Sequence, residues 1–273
     1  MINEELVVKP KIDVIFKKLF VENIDFLRDF LSVALDIPYE DFSDIKITNP
    51  ELIPDSSGEK LSRLDILVRK PDGTKLNIEM QNCDEGDYKV RSVYYCSKLF
   101  TKDVLSGDEY RDIPKTICIN ILQFTLFENA DWKCTVFPTI TETGEAVTDK
   151  WQILYFQTKK LPNKNSGGII DWLKFFTIKT KGDINEMKEN AKDVFVNKAL
   201  EAVELMNEDE KTRRLAEARE EAIFREKWIL RAAKRETAFD IAKNMFSLGV
   251  PIDIITKSTG LPPSEIAKLA EQT

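Results

Sequence analysis

From Lys11 to Leu35 the apolar residues recur at three- and four-residue steps: Ile12, Ile15, Phe16, Leu19, Phe20, Ile24, Leu27, Phe30, Leu31 and Leu35. That spacing predicts an amphipathic helix, or a close pair of helices, with one face turned to a core. Pro38 ends it. Three strand-like runs follow, Ile45 to Ile53, Leu61 to Arg69 and Lys75 to Gln81. The last two are joined by Pro71-Asp72-Gly73, whose Asp-Gly pair is a tight-turn signal. Tyr88 to Leu105 reads as a second helix, closed by Gly107, with Val90, Val93, Tyr94, Ser97, Phe100, Val104 and Leu105 on or near one face. Thr116 to Phe124 is a continuous apolar run of strand length, the pattern of a buried central strand, and Thr135 to Ile140 and Trp151 to Gln157 are further strands.

This order of elements predicts an α/β core that ends near residue 160. Asn163 to Gly168 has loop chemistry, and Ile169 to Thr177, Asp183 to Glu208 and Lys211 to Phe246 carry helical composition with few breakers. Thr237 to Gln272 holds two short amphipathic patterns around Leu248-Gly249-Val250-Pro251 and Thr259-Gly260-Leu261-Pro262-Pro263. The spacing suits a helix-turn-helix. The last helix, however, offers only Lys268 as a cation, so a hairpin that packs, or that joins two copies in a homodimer, is favoured over a DNA reader.

Composition narrows the chemistry. The 273 residues contain no histidine, which removes Ser-His and Cys-His nucleophile pairs, histidine bases and histidine metal ligands. Reaction chemistry must run on carboxylates, lysines, amides and hydroxyls. Cys83, Cys96, Cys118 and Cys134 stand far apart, without a CxxC pair, which fits a reducing compartment better than a thiolate zinc site. No apolar run reaches the ~18 residues a bilayer span needs, and the acidic start MINEELVVKP is unlike a signal peptide, so the expectation is a cytoplasmic protein with no membrane partner. The net charge of −7 argues against bulk attraction to nucleic acid but allows a local basic surface.

One cluster carries chemistry: Arg63-Leu64-Asp65-Ile66-Leu67-Val68 on one strand and Asn77-Ile78-Glu79-Met80-Gln81 on the next. Alternate strand residues share a face, so Glu79 and Gln81 point one way while Ile78 and Met80 point to the apolar side. If the strands pair through the Pro71-Asp72-Gly73 turn, Asp65 lies near Glu79 across the ladder. Two carboxylates and an amide at the end of a half-buried sheet make a hard-cation site. The same residues also read as exposed carboxylates that keep a sheet edge soluble.

The segments Lys11-Ile-Asp-Val-Ile-Phe-Lys-Lys-Leu-Phe20, Asn49-Pro-Glu51, Leu64-Asp-Ile-Leu67, Asn77-Ile-Glu-Met-Gln81, Arg91-Ser-Val-Tyr-Tyr95 and Gly107-Asp-Glu-Tyr110 occur in this order. Together they resemble the PD-(D/E)XK nuclease family transposases, the Rpn-type recombination-promoting nucleases, over roughly residues 10 to 178. The tail Thr259-Gly-Leu-Pro-Pro-Ser-Glu-Ile266 resembles their C-terminal segment. The resemblance implies a restriction-endonuclease-like core, a central mixed sheet flanked by helices, over residues 1–180. It implies an all-helical extension over 181–273 that ends in a helix-turn-helix-like hairpin. Asp65 matches the first acid of the motif, Glu79 the second, and Gln81 the position where the broader superfamily has Lys. No proline precedes Asp65, and glutamine at position 81 is similar to what this transposase-like family shows.

The activity so implied is Mg²⁺-dependent cleavage of DNA, with Mn²⁺ able to substitute, linked to transposition or recombination. Asp65, Glu79 and the Met80 carbonyl would hold the metal, Asp13 would reach it directly or through water, and Gln81 would orient the attacking water. Arg91 is a candidate phosphate clamp, Tyr94 and Tyr95 read either as core residues, the commoner meaning of aromatics at helical spacing, or as surfaces that stack on a base or sugar, and Lys98 and Lys102 would extend the track. Lys211 to Arg235 holds nine basic residues against four acids, which reads either as a solvated helix face or as a DNA-backbone contact. RNA or branched DNA as substrate, and a non-catalytic interaction module on the same fold, are the competing functions.

Overall fold

The structure, a computed structural model, describes residues 4–48, 51–52, 62–63, 65–84, 86–163 and 167–270. Asn49, Pro50, Ile53, Leu61 and Leu64 of the expected strands, positions 164–166 of the expected loop, and Gln272 lie outside them. Contacts divide the chain into two compact units, Met1–Ala216 and Glu217–Thr273.

The expected opening helix is a pair, α1 (Asp13–Glu22) and α2 (Ile24–Leu35). Asn23 breaks the run: its backbone leaves the helical region (φ −131°, ψ 79°) and its side-chain amide donates to the Leu19 carbonyl at 2.9 Å. The strands are β1 (Lys46–Thr48), β2 (Glu51–Leu52), β3 (Ser62–Arg63), β4 (Ile66–Arg69), β5 (Lys75–Gln81), β6 (Thr116–Leu122), β7 (Lys133–Val136) and β8 (Trp151–Gln157). Six of them form one mixed sheet in the order β1-β4-β5-β6-β8-β7, while β2 and β3 pair separately. β4 and β5 are an antiparallel hairpin, and β5, β6 and β8 run parallel. The parallel step from β5 to β6 requires a crossover, and helix α3 (Tyr88–Thr101) supplies it.

Period-two alternation gives this sheet two unlike faces. Leu76, Ile78 and Met80 of β5 join Ile117, Ile119 and Ile121 of β6 in the main core. There they meet Ile15, Phe16, Leu19 and Phe20 of α1, and Phe26, Leu27, Phe30 and Leu31 of α2. Trp172 and Phe176, from the segment of helix α4 (Ile169–Phe175) and its C-cap, stack into a cluster with Phe16, Phe20 and Phe30. The opposite face carries Lys75, Asn77 and Glu79, all buried, beneath α3.

The face that α3 turns to the sheet differs from the expectation. Val90, Val93 and Tyr94 are exposed, while Tyr88, Ser92, Cys96 and Leu99 are buried. The reason is the polarity of the sheet under it: the helix presents a hydroxyl face, with the Tyr88 hydroxyl donating to Asn120 Oδ1 at 2.6 Å and Ser92 Oγ 2.7 Å from the Tyr155 hydroxyl. The helix also stops at Thr101 rather than Leu105, where buried Lys75 takes the carbonyls of Leu99 (2.7 Å) and Phe100 (3.4 Å) with its ammonium group.

The expected helical run 183–208 is two helices, α5 (Lys181–Asn190) and α6 (Val194–Glu208). Thr180 and Asp183 form a capping box on the first, and Asp193 caps the second by accepting from Phe195 and Val196 N–H. Ile184, Met187, Val196, Ala199, Leu200, Val203 and Met206 are buried in the same core as α1 and α2. The first unit therefore draws on residues beyond 180 and closes within the 38-residue helix α7 (Glu210–Ser247).

In the second unit, the end of α7 packs with α8 (Ile252–Thr259) and α9 (Pro263–Ala270) around Ala242, Ile255, Leu261 and Ile266. Gly260 makes the turn between α8 and α9 with φ 72°, a left-handed conformation that glycine adopts without steric cost. No described helix is long and apolar enough to cross a membrane.

A chain ending at residue 180 should unfold without a cooperative transition in urea, followed by far-ultraviolet circular dichroism, whereas one ending at residue 216 should keep a sigmoidal one. In the 1–216 chain Leu200→Ala should cost about 2–5 kcal/mol, the range for emptying a fully buried leucine site. Cooperative unfolding of the 1–180 chain would remove α5 and α6 from the folding unit.

Candidate active site

The β4–β5 register sets the site. Ile66 pairs with Ile78, so the next step outward puts Asp65 opposite Glu79. At that step β4 has not begun, and the Asp65 side chain takes over part of the ladder: its Oδ2 accepts the Met80 N–H at 2.9 Å. The Asp65 N–H donates to Glu79 Oε1 at 3.3 Å, and Asn77 Nδ2 donates to the same oxygen at 3.1 Å. Within a strand the N–H and C=O of one residue share an edge, so the Met80 carbonyl lies on the edge that its N–H turns to Asp65.

Both acids are pushed toward their neutral forms. Burial raises the Asp65 carboxyl to about 6, against the opposing pull of the Met80 N–H and the Lys17 ammonium, with the charge of Asp13 adding to the rise. Burial raises Glu79 to about 8, and the charge of Asp65 adds to that rise. Lys17 Nζ is 3.7 Å from Asp65 Oδ1. It stands one turn after Asp13 on α1, and the N-terminal end of this helix is tied to β5's exit by Asn82 Nδ2, which donates to the Lys11 carbonyl at 3.0 Å.

Gln81 follows on the same face of β5. Its Nε2 is 3.5 Å from Glu79 Oε2, and its Oε1 accepts from Arg91 Nη2 at 3.1 Å. Arg91, on α3, also lies over the Tyr88 ring, 5.0 Å from the centroid. Between α3 and the sheet is a cavity of about 170 Å³, with Glu79, Gln81, Arg91 and Tyr95 among its lining. Tyr94 and Lys98 are not in that lining; Tyr94 is exposed and lies against Tyr95, 5.5 Å between ring centroids. Sequence reasoning missed Lys17 and Asn77. The signal for each was positional: Lys17 is four residues after Asp13 on a helix, and Asn77 is two residues before Glu79 on a strand.

Among the described residues no group of three or more His, Cys, Asp or Glu gathers as a ready cage. The donor set is instead two facing carboxylates, a strand-edge carbonyl and an amide. All are oxygen donors, and the carboxylates' raised affinity for protons marks negative charge that the protein leaves under-compensated. This set fits a hard divalent cation that keeps several waters. The four cysteines are free thiols, with Cys96 and Cys118 buried.

A stability consequence follows for the metal-free protein. Asp65 and Glu79 bind protons more tightly folded than unfolded, so the native state carries more protons between the ordinary carboxylate range and about 8. Stability should therefore fall as pH rises across that window. In urea melts in a chelating buffer, Glu79→Gln and Asp65→Asn should each flatten this decline, with the larger gain over wild type at pH 8 than at pH 5. A wild-type stability that rises from pH 5 to 8 with the same slope in both variants would contradict the electrostatics of the pair.

The chain matches two family models in succession. Residues 10–233 match the PD-(D/E)XK nuclease family transposase model. Residues 235–271 match the C-terminal helix-turn-helix domain of the Rpn/YhgA-like nuclease family, so the hairpin favoured above as a packing element is similar to a known helix-turn-helix. Neither the curated proteins nor the solved structures yield a match. With most of the chain covered by the first model, and a mixed sheet flanked by helices beneath it, the protein belongs to the PD-(D/E)XK nuclease family transposases.

Proposed function

We propose that the chain is a divalent-metal-dependent endonuclease that hydrolyses phosphodiester bonds in DNA in the course of transposition or recombination, in the cytoplasm. The observation that carries this reading is the Asp65–Glu79 pair, a buried glutamate facing a half-buried aspartate across the hairpin in a chain of a nuclease family. Asp65, Glu79 and the Met80 carbonyl are the residues that would hold Mg²⁺, or Mn²⁺ in its place, with Asp13 reaching it through water. When bound, such an ion polarises a phosphoryl oxygen and makes its own water more acidic.

The chain's residues do the rest. Glu79 and Gln81 flank the position from which a water would attack, and the Gln81 amide orients that water without taking its proton. Arg91 holds the Gln81 amide from the other side and presents its guanidinium to the cavity mouth, where a phosphate oxygen would meet it. In this way α3 supplies the positive charge that glutamine at position 81 lacks. Lys17 offsets the negative charge of Asp65 and Glu79 from the α1 side. Tyr95 is placed to stack, Lys98 continues along α3 two turns after Arg91, and Tyr94 stands at the exposed rim.

DNA affinity beyond the site would come from the helix-turn-helix and from the basic run Lys211 to Arg235. Exposed Phe224, Trp228 and Ile229 on α7 support a homodimer formed through the helical C-terminal region.

Nicking of supercoiled plasmid, run beside linear duplex, single-stranded DNA, branched DNA and RNA, tests the reading. Asp65→Asn and Glu79→Gln should abolish Mg²⁺-dependent cleavage without loss of fold. Gln81→Ala should lower turnover by roughly 10² through loss of orientation and leave metal affinity nearly unchanged. Wild-type cleavage rates in both carboxylate variants would dismiss the site. Changing the basic residues of 211–235 to glutamine should flatten the log–log salt dependence of DNA binding in proportion to the phosphates released, and an unchanged slope would assign that run to solvent.

A further inference from the structure

The cavity between α3 and the sheet contains an unanswered acceptor. Asn77 is 2% exposed and lines the cavity; its Nδ2 is used on Glu79, but its Oδ1 accepts no hydrogen bond among the described residues. A buried carbonyl oxygen left this way is costly, and the cost is recovered when something enters the cavity with a donor. Of the polar groups around it, the buried Cys118 thiol opposite Asn77 is at most a weak donor, and the strong donors are engaged elsewhere. The Tyr88 hydroxyl is used on Asn120, and Asn120 Nδ2 donates to the Leu154 carbonyl at 3.2 Å.

Size and walls say what enters. The volume, about 170 Å³, is close to the ~150 Å³ at which a protein cavity accepts one benzene ring. The walls include Tyr95, Tyr88 and the Arg91 guanidinium, flat groups of the kind on which a heteroaromatic ring stacks, and Gln81 adds an amide to the lining. Glu79 and Gln81 belong both to this lining and to the carboxylate site, so an occupant would sit immediately beside the scissile phosphate.

We infer that the cavity receives one nucleobase of the strand being cut, taken out of the base stack next to the scissile bond, with an amino or ring N–H of that base donating to Asn77 Oδ1. This rests on the nuclease reading and sharpens it: DNA in which that base is already unpaired, at a mismatch, a nick or a branch, avoids the unstacking cost and becomes the better substrate. Asn77 would then serve two partners, orienting Glu79 with one end of its amide and reading the base with the other.

The test uses the full chain and DNA duplexes in which an abasic residue replaces one nucleotide at a time around a mapped cut. Removing the base at one position beside the cut should slow Mg²⁺-dependent cleavage about tenfold, the order of one lost stacking contact, while removal elsewhere has little effect. A mismatch at that position should speed cleavage. Asn77→Ala and Tyr95→Leu should each erase the dependence on that base; the readout is a ratio of rates within one variant, so a general slowing through Glu79 does not move it. Binding is read separately in chelating buffer with 2-aminopurine at the same position, whose fluorescence should rise as it leaves the stack with wild type and stay low with Asn77→Ala. Metal-dependent cleavage indifferent to every abasic position, with no 2-aminopurine response, would make the cavity a water pocket and leave the nuclease reading standing. No cleavage of any substrate, together with no 2-aminopurine response, would end both.

Discussion

Everything at the site depends on one register. Because Ile66 faces Ile78 in an antiparallel hairpin, the next residues outward, Asp65 and Glu79, have no choice but to meet, half-buried aspartate against buried glutamate. Two like charges brought together out of water cost free energy, and the protein offsets only part of it: one N–H from Met80, one from Asp65, one amide from Asn77 and a lysine 3.7 Å away. The remainder is what makes the site receptive. A proton offsets part of it, and on the proposed reading Asp65 and Glu79 are the residues that would hold a divalent cation and let it offset the rest.

The sheet can carry that cost because its other face does not share it. Leu76, Ile78 and Met80 alternate with Asn77, Glu79 and Gln81, so the strand that bears Glu79 is fixed from behind by the aromatic core of α1, α2 and α4. In front, α3 is held at both ends by groups from β5: Lys75 takes the carbonyls of its last turn, and Gln81 takes Arg91 of its first. Arg91 is thereby placed by the same strand that carries the acids. Glutamine at position 81 is part of this arrangement, since a lysine there would repel the guanidinium that the glutamine amide oxygen accepts.

Period and turn chemistry made the frame legible in advance: the helix–meander–helix order, the Asp-Gly hairpin, the apolar run of β6 and the helical last third are all local patterns. The orientation of α3 was not, because its apolar residues suggest that Val90, Val93 and Tyr94 go inward, whereas the sheet beneath offers Asn77, Glu79 and Asn120 and selects the hydroxyl-bearing side. Which face of a helix is buried depends on its partner, and that is tertiary information. The same holds for Lys17 and Asn77. Each is an ordinary residue on its own element and acquires a role only when α1 and the hairpin bring it to the carboxylates. The reach of the first unit past residue 180 was likewise hidden, since α5 and α6 show their buried faces without saying which core receives them.

The net charge of −7 and a DNA substrate are reconciled by distance. At physiological ionic strength the screening length is about 8 Å, so a phosphate beside the cavity would sense Arg91 and a bound metal rather than carboxylates scattered over the surface. Such a protein has little long-range pull on DNA and must win its affinity from short-range contacts. On the proposed reading those contacts would be divided between a site whose charge an added cation completes and a C-terminal segment that matches a helix-turn-helix domain. On the proposed reading this division would favour cutting where both are engaged: the helix-turn-helix would add the affinity that the acidic body does not, and an added cation would offset the charge that Asp65 and Glu79 share.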